Sequence, residues 1–377
     1  MMDFSAMTLN MFFPDYEEPE DDHRTIGMAA EQSIRIAELG FNPWYTDHHF
    51  RGPWHSNPMQ FTAYIAPQIP KDRYLGFGVL SAPFYHPLRL VESMNLLDQL
   101  TEGRALFGIG SGWQGAEAEG LGVDKEYHAS GRAAEDTLDV MQKLWKFRYG
   151  DPEFSFEVGN HRGHIKRRIM PAPYTKRHPI MIRTASREAG LVKAAQNGWP
   201  AFLGVFGADV RAQALIYRTA LTAANHPQDV VDECLRWCTT DWLSIVVGKT
   251  DAEAQEFARI AKAEQMAVRS RYVARYGKFD GPVIRPKAGQ SQADGYAAGG
   301  DLKDTIAGSP ESVAKRVQQL ADLGINHLML RFLGEWAGET RHICETSLKL
   351  FSEEVIPRFR DIPPLRDPLG IDLNAMA

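Results

Sequence analysis

Short apolar runs rich in β-branched residues alternate along the chain with stretches of helical periodicity. The first such run, Met7–Phe13, predicts a strand, and His23–Leu39 predicts a helix that Gly40 stops. Further strands are predicted at Asn42–Asp47, Leu75–Ala82, Ala105–Gly110, Ile180–Thr184, Ala201–Val205, Trp242–Val247 and His327–Phe332. Helical periodicity covers Pro87–Leu100, a long stretch after Gly110 that ends near Trp145, a stretch through Ala195, and Arg341–Pro357. Eight strands with intervening helices in 377 residues predict an α/β fold, a closed (β/α)8 TIM barrel, as one domain over 1–377. The rival, a doubly wound sheet, would favour a glycine-rich turn after strand one. Asn10-Met11-Phe12-Phe13-Pro14 holds no glycine.

Two stretches break the rhythm. Residues 150–178, rich in Pro, Gly and His, read as an insertion with a hairpin and loop. Residues 265–305, between strands seven and eight, are too long for a plain connection inside a compact domain. They read as a mobile lid on the catalytic side, with a surface insertion of no function as the alternative.

Composition narrows the function classes. A net charge of −6 without a basic stripe argues against nucleic-acid and membrane-surface roles. No apolar run approaches the roughly 20 residues of a membrane span, and no basic-then-apolar signal opens the chain. The three cysteines, Cys234, Cys238 and Cys344, cannot build a disulfide framework and read as buried thiols in a cytoplasmic setting. No metal-ligand spacing surrounds them.

Barrel enzymes carry their chemistry at the C-terminal ends of the strands. Strand two ends Asp47-His48-His49-Phe50. Adjacent histidines on a strand point to opposite faces, which suits one ring entering the site and one packing behind better than metal chelation. An imidazole suits proton transfer near neutrality, and Asp47 can orient or charge it; a packed structural histidine is the plainer reading. In strand three, Gly76 and Gly78 imply a close approach to the backbone, either by a flat ring at the barrel mouth or by a packing neighbour. Strand four runs into Gly108-Ile109-Gly110-Ser111-Gly112, small residues and exposed amides where a cofactor can lie, without the Lys-Ser/Thr of a P-loop. Strand five ends Thr184-Ala185-Ser186-Arg187, where Ser186 as a helix N-cap and Arg187 as a charge would make an anion site; simple capping fits equally.

Several segments resemble a known family. His86-Pro87-Leu88-Arg89-Leu90-Val91-Glu92, then Asn95 through Arg104, the Asp47-His48-His49-Phe50 block, Gly308-Ser309-Pro310-Glu311 and Gly324-Ile325 are similar to the luciferase-like flavin-dependent monooxygenases, of the luciferase α-subunit type. The resemblance implies a (β/α)8 barrel that takes FMN as FMNH2 from a separate, transiently bound reductase. With molecular oxygen as co-substrate it oxygenates a small apolar molecule through a peroxyflavin. It implies proton transfer by His48, with Asp47 standing for a glutamate near the flavin ring. It also implies a cis peptide at Gly78–Val79 beneath that ring, and a phosphate contact from Ser186. Ser111 replaces an arginine that contacts phosphate in the family, which implies a weaker or differently anchored phosphate, with Arg187 as compensation. The resemblance also implies a homodimer packed through the first barrel helices. A deazaflavin-dependent oxidoreductase of the same barrel and a non-catalytic partner subunit are the alternatives.

Overall fold

A computed structural model describes residues 2–7, 20–47, 56–112, 115–185, 187–204, 209–276, 305–336 and 338–362. The strands are β1 (Asp3–Met7), β2 (Asn42–Tyr45), β3 (Leu75–Ser81), β4 (Ala105–Gly110), β5 (Phe154–Val158), β6 (His161–Ile165), β7 (Ile180–Thr184), β8 (Ala201–Leu203), β9 (Thr239–Thr240), β10 (Leu243–Val247), β11 (Ile306–Gly308) and β12 (His327–Phe332). Parallel pairing runs β1-β2-β3-β4-β7-β8-β9-β12 and returns from β12 to β1, closing an eight-membered barrel. β10 resumes after Asp241 and Trp242, pairs with β12, and carries β11 on its other side. The barrel expected from the strand–helix rhythm is therefore present.

In the barrel, β4 and β12 are buried along their whole length and β7 over its first four residues, which is why they read as largely apolar runs. Their outward residues pack beneath the helices. Helix Arg132–Lys146 shows the match, burying Ala134, Leu138, Met141 and Trp145 along one stripe. Inward residues form a separate cluster of Trp44, Leu106, Ile180, Ile182, Phe202, Trp237 and Met329. At its base His327 lies 5.2 Å from the Trp44 ring and 5.3 Å from the Trp237 ring. Its Nε2 is 2.7 Å from the Ser5 hydroxyl. Arg236 closes the floor, pairing with Asp3 at 2.9 Å and lying 4.5 Å from the Trp237 ring centroid.

Several expectations change. Strand one is Asp3–Met7, so only Met7 of the predicted run lies in it; residues 8–13 lie outside the described residues. Asp3 and Ser5 hid the strand because their polar groups are satisfied inside the barrel, by Arg236 and His327. The long helix after β4 is three, Gly115–Gly120, Lys125–Ala129 and Arg132–Lys146, broken at Gly122 and Gly131, both at positive φ. The insertion set to begin at residue 265 begins later, because helix Asp251–Tyr276 runs through that point. Residues 277–304, most of the proposed lid, lie outside the described residues. The other insertion does contain a hairpin, β5–β6. The chain after it is held to helix Pro87–Leu100 by Asn95 Nδ2 donating to the Pro171 carbonyl at 2.8 Å and by Thr175 donating to Asp98 at 3.0 Å. The last helix is regular only over Arg341–Leu350, then changes pitch through Phe351–Val355 and Ile356–Phe359. All three cysteines are buried and unpaired with one another.

Candidate active site at the barrel mouth

The C-terminal ends of β2, β3, β4 and β7 are consecutive around the barrel, and they gather the predicted site residues on one arc of its mouth. Asp47 follows β2, Gly78 and Val79 lie in β3, Ser111 and Gly112 follow β4, and Ala185 and Arg187 follow β7. His48 and Ser186 lie outside the described residues.

Asp47 is 1% exposed, a carboxyl taken out of water at the end of a strand. Its Oδ2 accepts the Ser81 backbone N–H at 3.0 Å, and its Oδ1 accepts the Tyr85 hydroxyl at 2.9 Å. Burial raises its pKa from 3.8 to about 7; the two hydrogen bonds pull the other way without cancelling it, and the Glu117 charge adds to the rise. Tyr85 is pushed far above the usual phenol range, by burial first and then by Asp47.

The Gly78–Val79 peptide is cis, as the resemblance implies, and the β3–β4 register shifts across it between Phe77 and Leu80. The close approach expected at the strand glycines is made by a side chain. A Cβ on Gly76 would lie 2.0 Å from the Trp44 ring, and one on Gly78 would lie 2.2 Å from the Trp44 indole nitrogen. The packing neighbour comes from the adjacent strand rather than from a helix, and its fully buried indole fills the barrel beneath the mouth.

Along this arc the rim is low. Gly78, Val79, Ser111 and Thr184 are half-buried at the ends of otherwise buried strands. A Cβ on Gly110 would meet Val79 Cγ2 at 2.4 Å, so glycine there lets β3 and β4 close up. Thr184 donates to the Ile109 carbonyl at 3.0 Å and joins β7 to the same ledge. Gly112 has φ +69, and a Cβ there would run into Phe84 at 2.6 Å. Phe84 stacks on His128 with ring centroids 5.4 Å apart, and His128 Nε2 lies 3.2 Å from the Gly112 carbonyl. Arg187, exposed, occupies the N-cap position of helix Glu188–Gln196. The cap assigned to Ser186 thus falls one residue later, because the helix begins at Glu188; the Arg187 side chain makes no capping hydrogen bond.

A low, half-open ledge of small side chains over an apolar floor fits a flat polycyclic group. Helix amides and the exposed Arg187 beyond β7 fit an anionic tail. Among the described residues no cluster of three or more His, Cys, Asp or Glu could hold a metal ion, and no helix is long and apolar enough to cross a membrane.

Comparison with known proteins names the family. The sequence model of luciferase-like monooxygenases matches residues 2–327. The chain belongs to that family. It is 24% identical to limonene 1,2-monooxygenase from Rhodococcus erythropolis, over 96% of this chain and 89% of the relative. It is 27% identical to the alkanal monooxygenase alpha chain of Photorhabdus luminescens, over 62% of this chain and 64% of the relative. Three solved structures share the fold. The monooxygenase RslO1 from Streptomyces bottropensis has a TM-score of 0.71 at 18% identity, covering 95% of this chain and 100% of that one. The oxygenating constituent of 3,6-diketocamphane monooxygenase from Pseudomonas putida, in complex with FMN, has a TM-score of 0.67 at 16% identity, covering 96% and 100%. An F420-dependent secondary alcohol dehydrogenase has a TM-score of 0.60 at 16% identity, covering 96% and 99%.

The sequence placed the candidate residues at the ends of β2, β3, β4 and β7 but missed Tyr85, Glu117 and the task of Trp44. Nothing local marks them. Tyr85 is 38 residues from the carboxyl it bonds.

Proposed function

We propose that this luciferase-like protein is a two-component flavin-dependent monooxygenase, taking FMNH2 from a separate reductase and using O2 to oxygenate a small apolar substrate. One oxygen atom enters the product and the other leaves as water, with the two electrons drawn from the reduced flavin. The observation that carries this reading is the buried Asp47 carboxyl, poised near neutrality at the edge of a low, half-open ledge.

Each group has a part. The Gly78–Val79 peptide, Ser111 and Gly112 form the ledge for the ring. Ala185, Ser186 and Arg187, at the start of the helix after β7, take the phosphate. His48 and Asp47 move the proton that oxygen activation requires. The apolar cluster under the ledge keeps water from the reacting atoms. The same reading has the protein act as a cytoplasmic homodimer that meets its reductase transiently.

The test is direct. Under anaerobic conditions, the purified protein is titrated with FMNH2 and with reduced F420, then mixed with 18O2 and either limonene or a long-chain aldehyde. FMNH2 binding and one labelled oxygen atom in product are expected; binding of F420 alone would overturn the proposal. His48→Ala should lower product yield by about 10²-fold or more while FMNH2 affinity stays within a small factor. Unchanged turnover would remove His48 from the chemistry. Arg187→Ala should weaken FMNH2 binding by about tenfold and leave binding of reduced riboflavin, which has no phosphate, unaltered.

A further inference from the structure

Both hydrogen-bond donors to Asp47 come from one short, well-held segment. Ser81 ends β3, and Tyr85 follows the turn Ala82–Phe84, its own N–H donating to the Ala82 carbonyl at 3.1 Å. The buried Glu117, 1% exposed and on helix Gly115–Gly120 after β4, also acts on Asp47 through its charge. These three act on the carboxyl as one neutral amide, one phenol and one carboxylate.

Their chemistry is unequal. A backbone N–H only donates, so Oδ2 is an acceptor whether or not Asp47 holds a proton. A phenol both donates and accepts. When Asp47 is ionised, Tyr85 donates to Oδ1. When Oδ1 takes up a proton, the same 2.9 Å contact reverses: the acid donates to the phenol oxygen and the phenol hydrogen turns away. Burial keeps Tyr85 from ionising itself, so it never competes for that proton.

We propose that Tyr85 is a positioning residue for Asp47: its hydroxyl confines the exchangeable proton to Oδ1, while Glu117 opposes ionisation, making Asp47 a one-proton store at the barrel mouth. Only the use of that proton rests on the monooxygenase reading. The storage belongs to the folded chain itself, and it can be measured with no flavin present.

The experiment is an infrared pH titration of the carboxyl band in the flavin-free protein, the band being assigned by its loss in Asp47→Asn. The wild-type midpoint is expected near neutrality. Tyr85→Phe removes a donor to the ionised form and should move the midpoint up by about one pH unit. Glu117→Gln removes a like charge and should move it down. Opposite displacements support the proposal; unmoved midpoints, or both displaced the same way, overturn it. If Tyr85→Phe does not fold, the downward displacement in Glu117→Gln carries the test alone, and its absence is the overturning result. The pH profile of turnover should follow the same displacements. Displaced midpoints in a protein with no FMNH2 turnover would reject the monooxygenase reading and leave the proton store standing.

Discussion

Two buried titratable groups, His327 in the barrel interior and Asp47 at its mouth, are driven in opposite directions by one cause. Loss of water disfavours whichever form is charged. For His327 this lowers the pKa from 6.5 to about 4, and at neutral pH the ring is an uncharged spacer between Trp44 and Trp237. For Asp47 it raises the pKa from 3.8 to about 7, where the carboxyl both holds and gives up a proton. Equal burial makes the histidine inert and the aspartate responsive. The usual expectation from residue type alone, that histidine is the group titrating near neutrality, is reversed at these two positions.

The largest expected effect comes from emptying the interior. Trp44→Ala removes a fully buried indole between Gly76, Gly78 and Phe202, and should cost about 3–5 kcal/mol in a denaturant titration. A loss under about 1 kcal/mol would mean that the interior collapses around the gap and is not a fitted plug.

The pH dependence of stability separates the two groups by sign. The folded His327 binds fewer protons than the unfolded chain between about pH 4 and 6.5, so its contribution is full above that window and disappears as pH falls. The folded Asp47 binds more protons than the unfolded chain between about pH 4 and 7, so its contribution is full at low pH and is lost as pH rises. Each is worth on the order of 3 kcal/mol. In urea midpoints measured from pH 4 to 8, His327→Gln should reduce the acid-side loss. His178, also lowered to about 4, keeps part of it. Asp47→Asn should reduce the loss toward neutral pH. If both variants change the slope in the same direction, the contrast fails.

Gly76→Ala should be the smallest, at about 1–3 kcal/mol. Its new methyl meets the Trp44 ring, so pairing it with Trp44→Phe should recover part of the loss. Strict additivity of the two changes would show that Gly76 is needed for some reason other than the indole.

The sequence determined the barrel where both strand faces are apolar. β4, β7 and β12 have the bounds expected of them, because strands that are largely apolar carry their burial in their own composition. It misjudged β1 and missed β9 and β11. In β1 the polar residues Asp3 and Ser5 alternate with apolar ones, and the partners that satisfy them, Arg236 and His327, are more than 200 positions away. β9 is two threonines and β11 three residues, too short to show a period. At the mouth, the chain located Asp47, Gly78, Val79, Ser111, Gly112, Ala185 and Arg187 on strand ends, since strand order alone puts those ends on one side of a barrel. Only the tertiary structure decided that Trp44 occupies the space above Gly76 and Gly78, and that Ser81, Tyr85 and Glu117 converge on Asp47. Desolvation and cross-strand contact set those properties, and neither exists until the strands have closed.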